Sequence, residues 1–169
     1  NVSANYTNDN GLLRMDPLNN FNNNVRFQVM NLRSNVGINL TSSTFAMIRT
    51  IANLQNYSGP PVNGSEAYNA ALRANPVMFL PVYPPGASQS YIQHPMFGNS
   101  GEGAPFYVNP YAQIMRGYSE RRRSDVQVQL ELTQDFSQLI TQGLNYRGLI
   151  NLARNNYFTQ FRVYNPFYY

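Results

Sequence analysis

The chain has 169 residues, 43 % of them hydrophobic and only 12 % charged, with a formal net charge of +4. It has no cysteine, which excludes a disulfide framework, a thiolate metal site and a cysteine nucleophile. Its one histidine, His94, excludes a multi-histidine metal centre. No apolar run approaches the roughly 20 residues of a membrane-crossing helix, no signal-peptide pattern is read at residue 1, and the chain is expected to be a piece of something larger.

The polarity comes from amides rather than charges. Twenty-four residues are Asn, all 12 basic residues are Arg, and 13 Tyr and 10 Phe occur without a single Trp. Uncharged polar residues with many Tyr and Phe suit a membrane β-barrel that has a hydrated lumen and interfacial aromatic girdles. The same mixture suits a carbohydrate-binding surface or an Asn-rich disordered chain, and the strand periodicity described next argues against disorder.

Val2, Ala4 and Tyr6 alternate with Ser3, Asn5 and Thr7, the pattern of a strand end. Asn8–Asp9–Asn10–Gly11 is turn chemistry, and an Asn-rich loop continues to Asn24. A long strand is predicted over 25–41, with Leu32, Val36, Ile38 and Leu40 opposite Arg33, Asn35, Asn39 and Thr41. Val25, Phe27 and Val29 have the other parity, which predicts a bulge or rim near Met30. A tight turn at 41–44 leads into a strand over 45–55, with Ala46, Ile48, Thr50, Ala52 and Leu54 on one face.

From 57 to 123 the alternation disappears, and nine of the 11 prolines fall there. One short helix is predicted in it, capped by Ser65 with Glu66 in its first turn, and stopped by Asn75–Pro76. Alternation then returns without a miss from Asp125 to Asp135. Val126, Val128, Leu130 and Leu132 lie on one side; Gln127, Gln129, Glu131 and Thr133 lie on the other. After a short connection at 136–142, a strand over 143–154 carries Leu144, Tyr146, Ile150 and Leu152. Asn155–Asn156 punctuates it, and 157–164 begins a further strand. Long and short connections thus alternate, as in a transmembrane barrel with long extracellular loops and short periplasmic turns. The expectation is all-β: about six strands of a large antiparallel transmembrane β-barrel, with 57–123 as one long extracellular loop.

Several strings resemble the SusC/RagA family of TonB-linked outer-membrane transporters. They are Asn31–Leu32–Arg33–Ser34–Asn35 before Ile38–Asn39–Leu40–Thr41, Arg73–Ala74–Asn75–Pro76, Asn109–Pro110–Tyr111–Ala112, Gly117–Tyr118, and Leu132–Thr133–Gln134–Asp135–Phe136 before Ile140–Thr141–Gln142–Gly143–Leu144. Together they cover roughly residues 1 to 155. The resemblance implies a barrel of about 22 strands in a Gram-negative outer membrane. It further implies a SusD-like surface lipoprotein as lid, contact with TonB through parts of the protein outside this chain, and import of oligosaccharides or oligopeptides. No plug domain or TonB box is found in the sequence, so this segment is not expected to transport alone. Little is familiar in 79–103, which leaves the ligand class open.

Within 57–123, Tyr83, Tyr91, Phe97, Phe106, Tyr107, Tyr111 and Tyr118 are candidates to stack on sugar rings or peptide side chains. His94 and Arg116 are the candidate polar contacts. The competing expectation is that these aromatics pack the loop on itself or on the lid, since a long ordered loop needs a core of its own. Arg33, Arg49, Glu131 and Arg147 face the lumen by parity, either lining the substrate path or forming a ladder of ion pairs against the plug, because buried charges need partners. Arg121–Arg122–Arg123 is a solvated rim, a contact for phosphate groups of outer-membrane lipid or an attractor of anionic substrate. The run is too short for a nucleic-acid stripe.

No nucleophile elbow, phosphate loop or metal spacing occurs, and no enzyme activity or cofactor is expected. Asp125 and Glu131, six residues apart on a strand, would stand about 20 Å apart, beyond the roughly 5–9.5 Å of a glycosidase pair. Sequons at Asn1, Asn5, Asn39, Asn56 and Asn63 are chance matches in an Asn-rich chain. Two other function classes remain open: a β-rich surface adhesin or glycan-binding module without transport, and a passive porin-like channel.

Overall fold

A computed structural model of the chain describes residues 1–17, 19–100 and 109–169. It is mostly strand, 51 % against 12 % helix. Among the described residues no helix is long and apolar enough to cross a membrane, which does not bear on strands. The chain divides into two compact units: 1–8, 27–56 and 121–158 form the first; 9–26, 57–120 and 159–169 form the second.

The first unit is built on a five-stranded antiparallel sheet. In chain order its strands are β1 (Val2–Asn10), β2 (Arg26–Asn39), β3 (Thr44–Gly59), β6 (Gly117–Asp135) and β7 (Asn145–Val163), and they pair in that order. Two corrections to the sequence reading follow. Residues 145–163 form one unbroken strand, so Asn155–Asn156 does not punctuate, and five long strands stand where about six were expected. Strand β6 also begins at Gly117, well before the clean alternation starts.

Two short connections close β2 onto β3 and β6 onto β7. At the first, the Leu40 amide donates to the Thr44 carbonyl (2.9 Å) and the Thr41 hydroxyl donates to that of Thr44 (2.7 Å). At the second, the Asp135 carboxylate accepts the Ser137 amide (2.8 Å) and the Ser137 hydroxyl. Gly143 supplies a positive φ of 84° there, a backbone conformation that glycine adopts without steric cost.

The two faces of the sheet differ in chemistry. Odd-numbered residues touch one another across strands: Asn53 bonds Asn31, and Gln127 donates to Asn151 (3.1 Å). On the even-numbered face Leu40, Ile48, Leu54, Leu130, Leu132, Tyr146, Ile150 and Leu152 are exposed. Ordinary soluble monomers rarely leave so many large apolar side chains of one sheet face uncovered.

The second unit holds helix α1 (Gly64–Arg73), helix α2 (Pro110–Met115) and a small antiparallel pair, β4 (Val82–Tyr83) with β5 (Met96–Phe97). Asn63, not Ser65, caps α1: its side chain accepts the Glu66 amide (2.8 Å), while Glu66 accepts the Asn63 amide (3.2 Å). Helix α2 was not expected; it starts because Asn109 is a good cap and Pro110 suits a first helical position. Phe97, Ala112 and Met115 form the buried core, flanked by Val82, Tyr111 and Ile114.

Asparagine amides hold this irregular unit together. Fully buried Asn109 uses its whole hydrogen-bonding capacity. Its Nδ2 donates to the Pro81 (2.8 Å) and Gly98 (3.0 Å) carbonyls, and its Oδ1 accepts the Tyr111 (3.0 Å) and Ala112 (3.2 Å) amides. Asn24 likewise donates to the Gly11 carbonyl (2.9 Å) and accepts the Leu13 amide (3.1 Å). The Asn-rich composition thus supplies the side chains that satisfy loop backbone groups.

Candidate functional site: a charged triad and an arginine-aromatic pocket

On the odd-numbered face of the sheet, Glu131 lies between two arginines. Its Oε2 accepts from Arg49 Nη1 at 2.6 Å and its Oε1 from Arg147 Nε at 2.7 Å. Glu131 is only 6 % exposed, and charge-assisted bonds of this length are the strong kind. Three of the four residues placed inward by parity therefore meet. The fourth, Arg33, lies in a shallow hollow with Asn1, Ser3 and Asn35, outside the triad. The ion pairs form between strands of the sheet itself rather than against a plug, with a net charge of one plus.

The arginine run divides by face. Arg123 pairs with Asp125 at 2.8 Å. On the even-numbered side the Arg122 guanidinium carbon lies 6.0 Å from the centre of the Phe158 ring. Leu54, Asn56, Ser124 and Asn156 line an open groove with them.

The second unit contains a cavity of about 400 Å³ lined by Asn20, Phe21, Arg116, Gly117, Tyr118, Arg162, Val163 and Tyr164. Its shape follows from one close approach. A Cβ on Gly117 would lie 2.0 Å from the Arg162 carbonyl oxygen, so only glycine lets the segments carrying Arg116 and Arg162 run side by side. The Tyr164 amide then donates to the Arg116 carbonyl (2.9 Å) and the Tyr164 hydroxyl to the Met115 carbonyl (3.4 Å). Burial pushes the Tyr164 phenol pKa up. Phe21 and Tyr118 stack across the cavity wall, ring centres 5.4 Å apart and tilted by 45°. Arg116 Nε is buried and has no hydrogen-bond partner.

Of the aromatic and polar candidates read from the sequence, the cavity brings together Arg116 and Tyr118. The other described candidates lie apart from it. Phe97 is core, 1 % exposed, with no surface left for a ligand. Tyr111 packs beside it at 6.2 Å and donates its hydroxyl to Asp16 (2.8 Å). Burial, followed by that hydrogen bond, raises its pKa from 10.0 to about 12. His94 is stacked against Phe167 (4.9 Å) and Tyr169 (6.0 Å). Tyr83 is half-buried in β4, and Tyr91 is 77 % exposed. Phe106 and Tyr107 lie outside the described residues.

Sequence reasoning missed Asn20, Phe21, Arg162 and Tyr164. Asn20 and Phe21 sit in a loop that shows no periodicity, and Arg162 follows a false strand break. Gly117 next to Tyr118 was the available signal, since a glycine between two bulky residues at a strand start marks a close backbone approach. No protein-family model, curated protein or solved structure matches this chain.

Proposed function

We propose that this chain is part of the wall of a TonB-dependent outer-membrane transporter of the SusC/RagA type, importing oligosaccharides or oligopeptides beneath a SusD-like lipoprotein lid. The observation that carries the reading is the two-faced sheet. Its even-numbered side exposes Leu40, Ile48, Leu54, Leu130, Leu132, Tyr146, Ile150 and Leu152, while its odd-numbered side carries amides and the Arg49–Glu131–Arg147 triad beside the exposed Ile51 and Leu149. The apolar positions run from Leu32 to Leu40 and from Ala46 to Leu54, matching the roughly 9–11 residues with which a tilted strand crosses a bilayer. An apolar outside and polar inside is the arrangement of membrane barrels.

Connection length supports the same reading. Antiparallel order puts the turns at 40–43 and 136–144 at one end of the sheet and the connections at 11–25 and 60–116 at the other. Short periplasmic turns and long extracellular loops produce that asymmetry. In a larger barrel the outer edges of β1 and β7 pair with neighbouring strands, which removes two long exposed edges. The resemblance strings add the family. The Phe21–Tyr118 pair and Arg116 favour, as a second reading, a glycan-binding surface module without transport.

Cell fractionation followed by intact-mass measurement separates the two. The transporter reading expects the sequence in the outer-membrane fraction, within a polypeptide several times heavier than the 19.2 kDa of this chain. A water-soluble protein near 19.2 kDa would overturn it in favour of the binding module.

A further inference from the structure

We infer that the cavity between Phe21, Arg116, Tyr118 and Arg162 is a binding site for a carboxylated oligosaccharide, one whose sugars are uronic acids. The inference deepens the import reading and rests on it for the ligand's arrival from outside the cell.

Charge is the first argument. Two of the eight lining residues are arginines and none is acidic, so the lining itself is net positive, with Asp16 the acidic group nearest in its effect on Tyr164. Arg116 Nε is buried and unpartnered, and a buried donor without an acceptor is costly. A ligand carboxylate held on the guanidinium fork brings negative charge beside that unpaired donor, and the planar fork suits it.

Shape is the second argument. A volume of about 400 Å³ lies within the roughly 300–1,000 Å³ of small-molecule pockets. The tilted Phe21 and Tyr118 rings offer flat apolar faces for the C–H side of a pyranose ring. Asn20, exposed at the margin, supplies an amide able both to donate to and accept from sugar hydroxyls. An acidic peptide shares the carboxylate but has no rigid ring to lay against that pair, so the sugar is the better match.

The test uses the full-length protein purified in detergent and titrated calorimetrically with tetragalacturonate, its fully methyl-esterified counterpart and tetra-aspartate. The expected result is binding of tetragalacturonate only, weakening with salt and falling about 10-fold or more in Arg162→Gln and in Arg116→Gln. Arg162 is at the exposed margin, so R162Q keeps the test decisive if R116Q fails to fold. Equal binding of the methyl ester, equal binding of tetra-aspartate, unchanged affinity in both variants or no binding at all would each overturn the inference. A membrane protein of high mass that ignores tetragalacturonate loses the ligand and keeps the transporter. A small soluble protein that binds it loses the transporter and keeps the site.

Discussion

Asn109 shows how much one side chain can fix when every one of its polar positions is used. Replacing it by alanine removes a helix cap and strands the Pro81 and Gly98 carbonyls that it now serves. The expected cost is about 2–4 kcal/mol, read as faster amide exchange over 79–98 and 110–116 in the full protein. Asn109→Asp keeps the cap but points a carboxylate at two carbonyl oxygens, so it should exchange faster than wild type even though α2 remains capped. Tyr111 gives a pH signature. Its folded pKa of about 12 lies above the usual 10.0, so the protonated phenol is the form that folding favours. Its contribution is complete below about pH 10 and is lost as pH rises through about 12. Tyr111→Phe should flatten that alkaline decline in stability, and an unchanged alkaline profile would remove Tyr111 from the account. At Glu131, substitution by Gln leaves Arg49 and Arg147 side by side without their shared carboxylate. A lowered unfolding midpoint is expected, and Glu131→Gln with Arg147→Gln should recover part of it.

At the scale of the element, local pattern and long-range demand diverge. The strands around Leu130 and Ile48 were legible because period-two alternation is written in neighbouring residues, and both short turns carry Ser, Thr, Asp or Gly chemistry. Asn155–Asn156 misled because two asparagines read as a turn, whereas ladder pairing with β6 holds them extended. Helix α2 was hidden because six residues are too few for a period of 3.6 to show. The charged triad was legible by parity, but the Phe21–Tyr118 cavity was not, since 97 residues separate its two rings and only tertiary structure joins them. Gly117 tests that join. Gly117→Ala must displace the Arg162 carbonyl, so it should reduce tetragalacturonate binding about as severely as the arginine changes do. Normal binding in G117A would show that the cavity does not depend on the close approach.

On the scale of the whole molecule, the account depends on which solvent each face of the sheet meets. An exposed apolar face is a liability in water and an advantage in lipid, and the polar face has the reverse preference. The chain contains no cysteine, so a single engineered one gives a unique label within it. The decisive measurement places a fluorescent label at Ile48, Leu130 or Ile150 on one face and at Asn53, Gln127 or Asn151 on the other, in the full protein in lipid vesicles. Quenchers dissolved in lipid and in water are then compared. Lipid-phase quenching is expected at the first three positions and aqueous quenching at the second three. Aqueous quenching at all six would contradict it and make the sheet a water-exposed surface.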